Sequence, residues 1–291
     1  MLDLLTKVVL VVGVIKTISC SYYVIEWFIH HFIESIIGGH DLMKRYDGKG
    51  SWAIISGSGD GIGKGYAKHL AKKGFNIVLM SKSPEKIAKI AKDLKKDCPN
   101  IQVKELAVNF YKNTNVDFYK GILNKVKDLD ISIVITNAAI LRCGFLTEKD
   151  AEIWSDQIDA NSYHYVMMQK VFLNKLLERT KQGKRCGLVG TSSGMGRATN
   201  PIIKVYCASK AVTYYLSAAL CKELEMSESP RPDGSRPDLI DSLGFLPMGT
   251  ATNILRSHWW FSDMQIGPDW VSGTALRDLG VRHLSYGAWS Q

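Results

Sequence analysis

Short apolar runs alternate with lysine-rich amphipathic stretches along most of the chain after residue 50. The apolar runs predict strands at Trp52–Ser56, Ile77–Met80, Val103–Val108, Ile131–Thr136, Gly187–Gly190 and Leu239–Leu246. Between them the spacing predicts helices near Gly63–Lys73, Pro84–Lys96 and Val116–Lys127, and a long one over Ala151–Thr180. This alternation is typical of successive strand–helix–strand units that build a parallel sheet. We therefore predict an α/β fold, a doubly wound parallel sheet of the Rossmann-like kind.

The N-terminal segment Leu4–Ile37 has a different pattern. It is strongly apolar but is interrupted by Lys16, Glu26, His30 and Glu34, so no uncharged run reaches the ~20 residues of a simple membrane-spanning helix. The interruptions step mostly by three or four, which predicts a hydrophobic helix with one polar stripe. We expect this helix to attach the protein to a membrane, and a buried helix of a soluble protein is the alternative.

Length and composition favour one catalytic domain plus this appendage. The 291 residues are 46% hydrophobic, enough for a single α/β domain with a full core. The predicted organisation is a membrane-associated helix over residues 1–40 and a dinucleotide-binding domain over residues 41–291.

Charge and cysteine content exclude several kinds of site. The formal net charge is +9, but many of the lysines lie at helical spacing on outward faces, so no nucleic-acid partner is expected. The six cysteines are scattered and include no Cys-x-x-Cys pair, which predicts neither a metal site nor a disulfide framework. A reducing compartment around the catalytic domain fits this pattern.

A glycine-rich segment follows the first predicted strand and opens the first helix. It reads Ser56-Gly57-Ser58-Gly59-Asp60-Gly61-Ile62-Gly63, a Gly-x-x-x-Gly-x-Gly spacing. Glycines here let the backbone approach a pyrophosphate closely, and the helix N-terminus favours its negative charge. We predict that Gly57, Ser58, Asp60, Gly61, Ile62 and Gly63 bind a dinucleotide.

The end of the second strand bears on which dinucleotide is bound. An NAD-binding site places a carboxylate there for the ribose hydroxyls, but the chain has Ser81, Lys82 and Ser83. A cation without a carboxylate suits the 2′-phosphate of NADP(H). NADP(H) is therefore the expected cofactor, with NAD(H) as the alternative, and Ser81 and Lys82 as contacts.

Candidate catalytic chemistry follows the fifth strand. Ser193 lies directly after it, and Tyr206 and Lys210 come thirteen and seventeen residues later. A spacing of four puts the phenol and the ammonium on one helix face, where the cation is expected to lower the phenol's pKa. Tyr206 would then serve as the acid and base, with Ser193 hydrogen-bonded to the substrate oxygen.

Taken together, these motifs resemble the short-chain dehydrogenase/reductase family over residues 49–291. Within it the chain is similar to the membrane-anchored branch of very-long-chain 3-oxoacyl-CoA reductases and 17-beta-hydroxysteroid dehydrogenases. The segments that carry this similarity are Lys49–Ala53, Asp60–Lys64, Leu70–Gly74 and Ala275–Gly280. The resemblance implies the catalytic set Asn161, Ser193, Tyr206 and Lys210, with Asn161 holding the water of a proton relay.

The resemblance also implies further cofactor contacts and shows departures from the family pattern. Ser56 replaces the usual threonine, Asn109 an aspartate expected at adenine, and Met248 a glycine. The family's Asn-Asn-Ala-Gly appears as Thr136–Ala139. The implied cofactor-binding residues outside the glycine loop are Ser81, Lys82, Asn109, Asn137, Ala138, Tyr206, Lys210, Pro247 and Thr252.

These observations predict an NADP(H)-dependent oxidoreductase that reduces a ketone on a hydrophobic substrate, a 3-oxoacyl-CoA or a steroid. The expected location is the membrane of the endoplasmic reticulum, with the mitochondrial inner membrane as the alternative. A second hypothesis is a non-catalytic structural subunit of a membrane complex that keeps the fold and a nucleotide. The resemblance implies a homodimer through the long helices. The segment His258–Met264 is a candidate substrate cover, and Glu225–Asp238 a surface loop.

Overall fold

A computed structural model of the chain describes residues 2–29, 40–112, 115–227, 239–252 and 266–287. The chain divides into two compact units, Met1–Gly39 and His40–Gln291. The predicted substrate cover His258–Met264 lies outside the described residues, as does most of the predicted loop Glu225–Asp238.

The described residues of the first unit, 2–29, form helix α1 (Leu2–Phe28). The large apolar side chains described between Val8 and Ile29 are 42–64% exposed. Five of them are consecutive, Val8–Val12, and at about 100° per residue they face every side of the helix. No helix among the described residues combines the length and the hydropathy needed to cross a membrane.

The second unit is built on a seven-stranded parallel sheet with the order β3-β2-β1-β4-β5-β6-β7. The strands are β1 (Trp52–Ser56), β2 (Asn76–Ser81), β3 (Val103–Ala107), β4 (Ile131–Thr136), β5 (Cys186–Thr191), β6 (Ile240–Phe245) and β7 (Leu284–Ser285). Every residue of β1, β4 and β5 is buried, as expected of strands covered on both faces. The predicted parallel sheet is confirmed.

Helices cover both faces of this sheet. They are α2 (Leu42–Arg45), α3 (Gly61–Lys72), α4 (Pro84–Asp97), α5 (Val116–Asn124), α6 (Ala151–Ile158), α7 (His164–Thr180), α8 (Lys204–Ser227) and α9 (Pro268–Asp278). Helices α3, α4 and α9 share one core with Ile55, and α5, α7 and α8 share the other with Ile54. Successive side chains of one strand thus enter opposite cores, which makes the sheet doubly wound.

The polar start of β6 has a structural explanation. The Asp241 carboxylate accepts hydrogen bonds from Arg45 Nε at 2.6 Å, from the Tyr46 hydroxyl at 2.9 Å and from Arg185 Nη1 at 2.9 Å. Asp241 is 9% exposed, so its charge is buried and compensated. Asp241 thus ties the segment around α2 to the amino ends of β5 and β6.

The long helix predicted over Ala151–Thr180 is interrupted. Five residues, Asp159–Tyr163, are wound as a π-helix between α6 and α7. A π turn inside an α-helix frequently marks a functional position. The interruption contains Asn161, one of the four residues that the family resemblance singles out.

Candidate active site

The segments singled out in the sequence all follow carboxyl ends of strands. β1 lies between β2 and β4, so the strand order reverses at β1 and β4. In open parallel sheets the crevice outside such a reversal is the usual ligand site. The glycine loop follows β1 at this point, and Ser193 follows β5 two strands away.

Glycines shape the floor of the crevice by leaving no space for side chains. Gly57 has φ +67°, a conformation that favours glycine. A Cβ on Gly57 would lie 2.7 Å from the Ala138 Cα, and one on Gly63 would lie 2.2 Å from the Gly57 carbonyl oxygen. Gly63 is thereby required for the first turn of α3 to close against the loop. This backbone forms the cradle that a pyrophosphate needs.

The N-terminus of α3 opens from this cradle. The Asp60 carboxylate caps the helix by accepting from the Gly61 amide at 2.7 Å. The helix itself cannot satisfy the amides of Ile62 and Gly63, so its first turn favours an anion. Ser58 is buried and its hydroxyl donates to the Met80 carbonyl at 3.3 Å, so it supports the loop from below. The residues present therefore fit a dinucleotide.

Ser56 ties the glycine loop to the end of β4. Its hydroxyl oxygen accepts from the Asn137 amide at 2.9 Å and from the Ala138 amide at 3.1 Å. It also lies 3.0 Å from His164 Nε2. With both acceptor positions used, the hydroxyl proton is left to donate to Nε2, which assigns the ring proton to Nδ1. The Asn137 side chain adds a bond to the Ser56 carbonyl at 3.3 Å.

His164 is a buried, neutral histidine beneath the site. Burial, with a smaller contribution from the Lys210 charge, lowers the pKa of His164 to about 3. Its ring lies 3.9 Å from the Phe110 ring, centroid to centroid. Nδ1 is buried and has no hydrogen-bond partner among the described residues. The imidazole therefore supports the loop through Ser56 and carries no charge at neutral pH.

The side chains at the end of β2 form the outer edge of the crevice. The Lys82 ammonium donates to the Tyr111 hydroxyl at 2.8 Å and lies 5.0 Å from the centre of that ring. Asn109, the position that the resemblance assigns to adenine, accepts from the Tyr111 amide at 3.4 Å. A Cβ on Gly59 would lie 2.6 Å from the Ser81 hydroxyl oxygen, so the glycine loop reaches this edge.

Ser193, Tyr206 and Lys210 lie close together. The Ser193 side chain lies near the Tyr206 hydroxyl, and its own hydroxyl donates to the Pro247 carbonyl at 3.5 Å and accepts from the Met195 amide at 3.2 Å. Lys210 Nζ lies 5.8 Å from the centre of the Tyr206 ring and donates to the Thr191 carbonyl at 3.2 Å. Ser193 and Lys210 are 6% and 2% exposed, so the amine is sheltered from water beside the phenol.

The pKa values of these groups differ in part from the expectation. Burial raises the pKa of Tyr206 to about 12, against a smaller lowering by the Ser193 side chain. Burial lowers the pKa of Lys210 to about 8. The sequence-based expectation of a lowered Tyr206 pKa is wrong here, because desolvation of the phenolate has the largest effect on this group. Tyr206 is therefore a protonated hydroxyl at neutral pH.

Asn161 is held by three hydrogen bonds of its side chain. Its amide nitrogen donates to the Ile140 carbonyl at 2.9 Å and to the Ser209 hydroxyl at 3.0 Å, and its oxygen accepts from the Ile140 amide at 2.8 Å. The Ser209 hydroxyl donates to the Tyr206 carbonyl at 2.8 Å. Asn161 thus connects the π turn to the helix that carries Tyr206.

The residues that follow β6 form another border of the crevice. The Gly194 amide donates to the Pro247 carbonyl at 3.1 Å, and the Met248 thioether covers Gly194 so closely that a Cβ there would lie 1.9 Å from its sulfur. A Cβ on Gly61 would lie 2.8 Å from the Thr252 methyl. Pro247 and Thr252 therefore border the crevice at Gly194 and at the glycine loop.

An apolar wall adjoins Tyr206. Its buried members are Leu141, Ile203 and Cys207, and Tyr206 is among the partly buried side chains packed against them. Burial raises the pKa of Cys207 above its ordinary value, so the thiol stays protonated and acts as a small apolar group. The remaining members of the wall are Cys143, Met195 and Ile202.

Two further observations complete the site. No group of three or more potential metal ligands occurs among the described residues. The site also includes His164, Ser209 and Tyr111, which were not predicted from the sequence. Ser209 carried a signal, because it lies inside the Tyr-x-x-x-Lys motif itself, whereas the others are linked to the site only by tertiary contacts.

The chain is similar in sequence to proteins of a known family. A sequence model of the short chain dehydrogenase family matches residues 51–228. The very-long-chain 3-oxoacyl-CoA reductase of Ajellomyces capsulatus is 32% identical over 203 residues, which are 69% of this chain and 56% of that protein. The alignment thus spans little more than half the length of this relative.

Two other similarities extend further along the chain. A human protein named inactive hydroxysteroid dehydrogenase-like protein 1 is 29% identical over 283 residues, 94% of this chain and 78% of the relative. The structure of a short-chain dehydrogenase from Sphingobium yanoikuyae in complex with NADPH has a TM-score of 0.68 at 22% identity. It covers 82% of this chain and 87% of that structure, a likeness of fold.

Proposed function

The chain belongs to the short-chain dehydrogenase family, and from this premise we propose that it reduces a ketone on a hydrophobic substrate at the expense of NADPH. The observation that carries the proposal is the grouping of Ser193, Tyr206 and Lys210, with the buried Lys210 Nζ 5.8 Å from the centre of the Tyr206 ring. Ser193 follows β5, two strands from the end of β1 that carries the glycine cradle.

Each side chain has a defined task in this proposal. The nicotinamide dinucleotide, when bound, supplies hydride to the carbonyl carbon. The hydroxyls of Ser193 and Tyr206 donate hydrogen bonds to the carbonyl oxygen and orient it. Tyr206, whose pKa of about 12 keeps it protonated, gives its proton to that oxygen as the alcohol forms. The Lys210 charge stabilises the phenolate left behind.

The proposed cofactor preference is for NADPH over NADH. Lys82 places a cation at the end of β2, where its ammonium is held by Tyr111. A ribose with a free 2′-hydroxyl is usually recognised by a carboxylate at this position, and residues 81–83 provide serine and lysine side chains.

The proposed substrate is a 3-oxoacyl-CoA, with a steroid ketone as the alternative. The apolar wall of Leu141, Ile203 and Cys207 beside Tyr206 suits a hydrocarbon chain or a ring system. The relative from Ajellomyces capsulatus, a very-long-chain 3-oxoacyl-CoA reductase, supports the acyl substrate.

We further propose that α1 attaches the protein to a membrane. Its apolar side chains are exposed on every side, and an exposed apolar surface of this extent marks a membrane or a protein partner. The proposed membrane is that of the endoplasmic reticulum, with the mitochondrial inner membrane as the alternative, and imaging of the tagged full-length chain distinguishes them.

A second candidate function is a non-catalytic subunit of a membrane complex that retains nucleotide binding. The likeness to a human relative named as inactive favours this candidate, because that alignment covers 94% of the chain. In this case the glycine cradle would bind a nucleotide without turnover.

Turnover by the full-length chain separates the two candidates. NADPH oxidation is followed after addition of a long-chain 3-oxoacyl-CoA or a steroid ketone, with Tyr206→Phe as the test variant. Tyr215→Phe is the matched control, because Tyr215 lies on the same helix and is 69% exposed. Reductase activity in the parent and in Tyr215→Phe, but not in Tyr206→Phe, supports the proposal. Nucleotide binding without turnover in the parent supports the non-catalytic candidate.

A further inference from the structure

The ends of β2 and β3 bring two side chains together that are distant in sequence. Lys82 follows β2 and Tyr111 follows β3, and Lys82 Nζ donates to the Tyr111 hydroxyl at 2.8 Å. The ammonium lies 5.0 Å from the centre of the Tyr111 ring, at its hydroxyl edge. An exposed lysine usually samples many rotamers, whereas this hydrogen bond favours one of them.

The backbone beneath this pair is fixed by the sheet. Ser81 lies opposite Ala107 in the parallel register of β2 and β3, and the Val108 amide donates to the Ser81 carbonyl at 2.9 Å. The Tyr111 amide donates to the Asn109 side chain at 3.4 Å. Tyr111 therefore projects from a short turn anchored to the same strand ends as Lys82.

Of the two lysines at the end of β2, Lys82 is the one suited to bind an anion. Lys86, on the following helix, is paired with the Asp60 carboxylate at 3.6 Å. Lys82 has no carboxylate partner within the described part of the chain. Beside it the Ser81 hydroxyl accepts from the Ser83 amide at 3.4 Å. An ammonium, a phenol and a serine hydroxyl match the oxygens of a phosphate better than the hydroxyls of a ribose.

We propose that Tyr111 is a positioning residue that holds Lys82 for the 2′-phosphate of NADP(H) and thereby sets the cofactor preference. This inference rests on the proposed nucleotide site. Tyr111 acts through Lys82: its hydroxyl accepts one of the three ammonium hydrogens, which leaves the other two for phosphate oxygens.

Binding of two small nucleotides tests this without any catalytic assay. Adenosine 2′,5′-bisphosphate and adenosine 5′-monophosphate differ by the 2′-phosphate, and calorimetry on the full-length protein gives the ratio of their Kd values. The parent is expected to bind the bisphosphate at least tenfold more tightly. Tyr111→Phe keeps the ring and removes the hydroxyl, so the ratio should fall by roughly fivefold, the effect of one hydrogen bond. Binding of the monophosphate should not change.

Two further variants serve as controls for this binding experiment. Lys82→Met should abolish the preference, and Tyr215→Phe, the matched exposed tyrosine, should leave both Kd values at the parent value. The proposal is overturned if Tyr111→Phe keeps the parent ratio, or if it weakens both nucleotides equally. A parent that binds neither nucleotide overturns the proposed nucleotide site as well. A parent that binds both equally overturns the NADP(H) preference and the role of Tyr111 together, but not the nucleotide site.

Discussion

The Met248 side chain shows how a single residue constrains this site. Its thioether lies against Gly194, the residue after Ser193. The family resemblance implies a glycine at position 248. Met248 is 42% exposed, so it borders the crevice from the solvent side. We interpret it as a determinant of how much space a substrate has beside Ser193.

Gly194→Ala is expected to reduce ketone turnover through Met248. The new Cβ would lie 1.9 Å from the Met248 sulfur, and the flexible thioether would have to swing into the crevice beside Ser193. We expect kcat/KM to fall by about tenfold, which corresponds to about 1.4 kcal/mol of activation free energy. The double variant Gly194→Ala with Met248→Gly should recover the activity of Met248→Gly alone. A double variant as slow as Gly194→Ala would contradict this account.

His164 should make the stability of the protein sensitive to acid. Its pKa is lowered from 6.5 to about 3 in the folded state, so between these values the unfolded chain binds a proton that the folded chain excludes. Stability is therefore complete above pH 6.5 and is lost as the pH falls towards 3. We expect a few kcal/mol from this residue across the window.

Chemical unfolding at pH 7 and pH 4 measures this effect. His164→Gln should lose less unfolding free energy between the two pH values than the parent, whatever its stability at pH 7. His69→Gln is the control, because His69 is on α3 and its side chain is 29% exposed. Equal losses in the parent and in His164→Gln would exclude His164 as the cause.

Among the elements, the strands were the most predictable from sequence. β1 and β4 have the predicted bounds, because each is a mostly apolar run between polar or glycine residues. The π turn was not predictable, since it depends on Asn161 bonding to Ile140 and Ser209, 21 and 48 residues away. Hydrophobic periodicity reports which face of a helix is buried and is insensitive to such contacts.

In the candidate site, too, local features were predictable from the sequence and contacts between distant residues were not. The proximity of Tyr206 and Lys210 was predictable from their spacing of four on one helix. The glycine turn at Gly57 was predictable because it directly follows an apolar strand. The pairing of Lys82 with Tyr111 joins two strand ends and has no local signal. The pairing of Asp241 with Arg45 was also not predictable from sequence, because the two residues are 196 positions apart.

The start of β6 should be a stability hot spot. Asp241→Asn removes the charge that compensates Arg45 and Arg185, and loss of one member of a buried ion pair costs about 3 kcal/mol or more. Urea unfolding of the full-length protein measures the change. Asp117→Asn is the control, because its pair with Lys120 is exposed and such pairs contribute roughly 0–1 kcal/mol. Equal destabilisation by the two substitutions would refute this role of Asp241.

At the scale of the whole molecule, the chain consists of two units, one with the short-chain dehydrogenase fold and one that contains the apolar helix α1. The sheet and both cores lie within the second unit, and α1 exposes its apolar side chains. Burial of such side chains in lipid is favourable by about 0.8 kcal/mol per methylene group. The proposed attachment to a bilayer would bury these side chains.

Flotation with phosphatidylcholine vesicles tests membrane attachment by α1. The full-length parent should float with the vesicles, and Val12→Asp with Ile15→Asp should reduce the bound fraction at least tenfold, roughly the effect of desolvating two carboxylates. Val212→Asp is the control, since Val212 is a 45% exposed residue on α8. A parent that stays with the unbound protein, or a control that acts like the α1 variant, would contradict the proposal.

The central claim is that Tyr206, beside Ser193 and Lys210, protonates a ketone oxygen as the carbon is reduced. In the most direct test, the protein is supplied with a long-chain 3-oxoacyl-CoA and with NADPH that carries deuterium at the transferred position. The mass and the amount of the alcohol product are then measured by mass spectrometry. The account predicts one deuterium per product molecule from the parent and from Tyr215→Phe, and almost no product from Tyr206→Phe. Deuterated alcohol formed as fast by Tyr206→Phe as by the parent, or none formed by the parent, would contradict it.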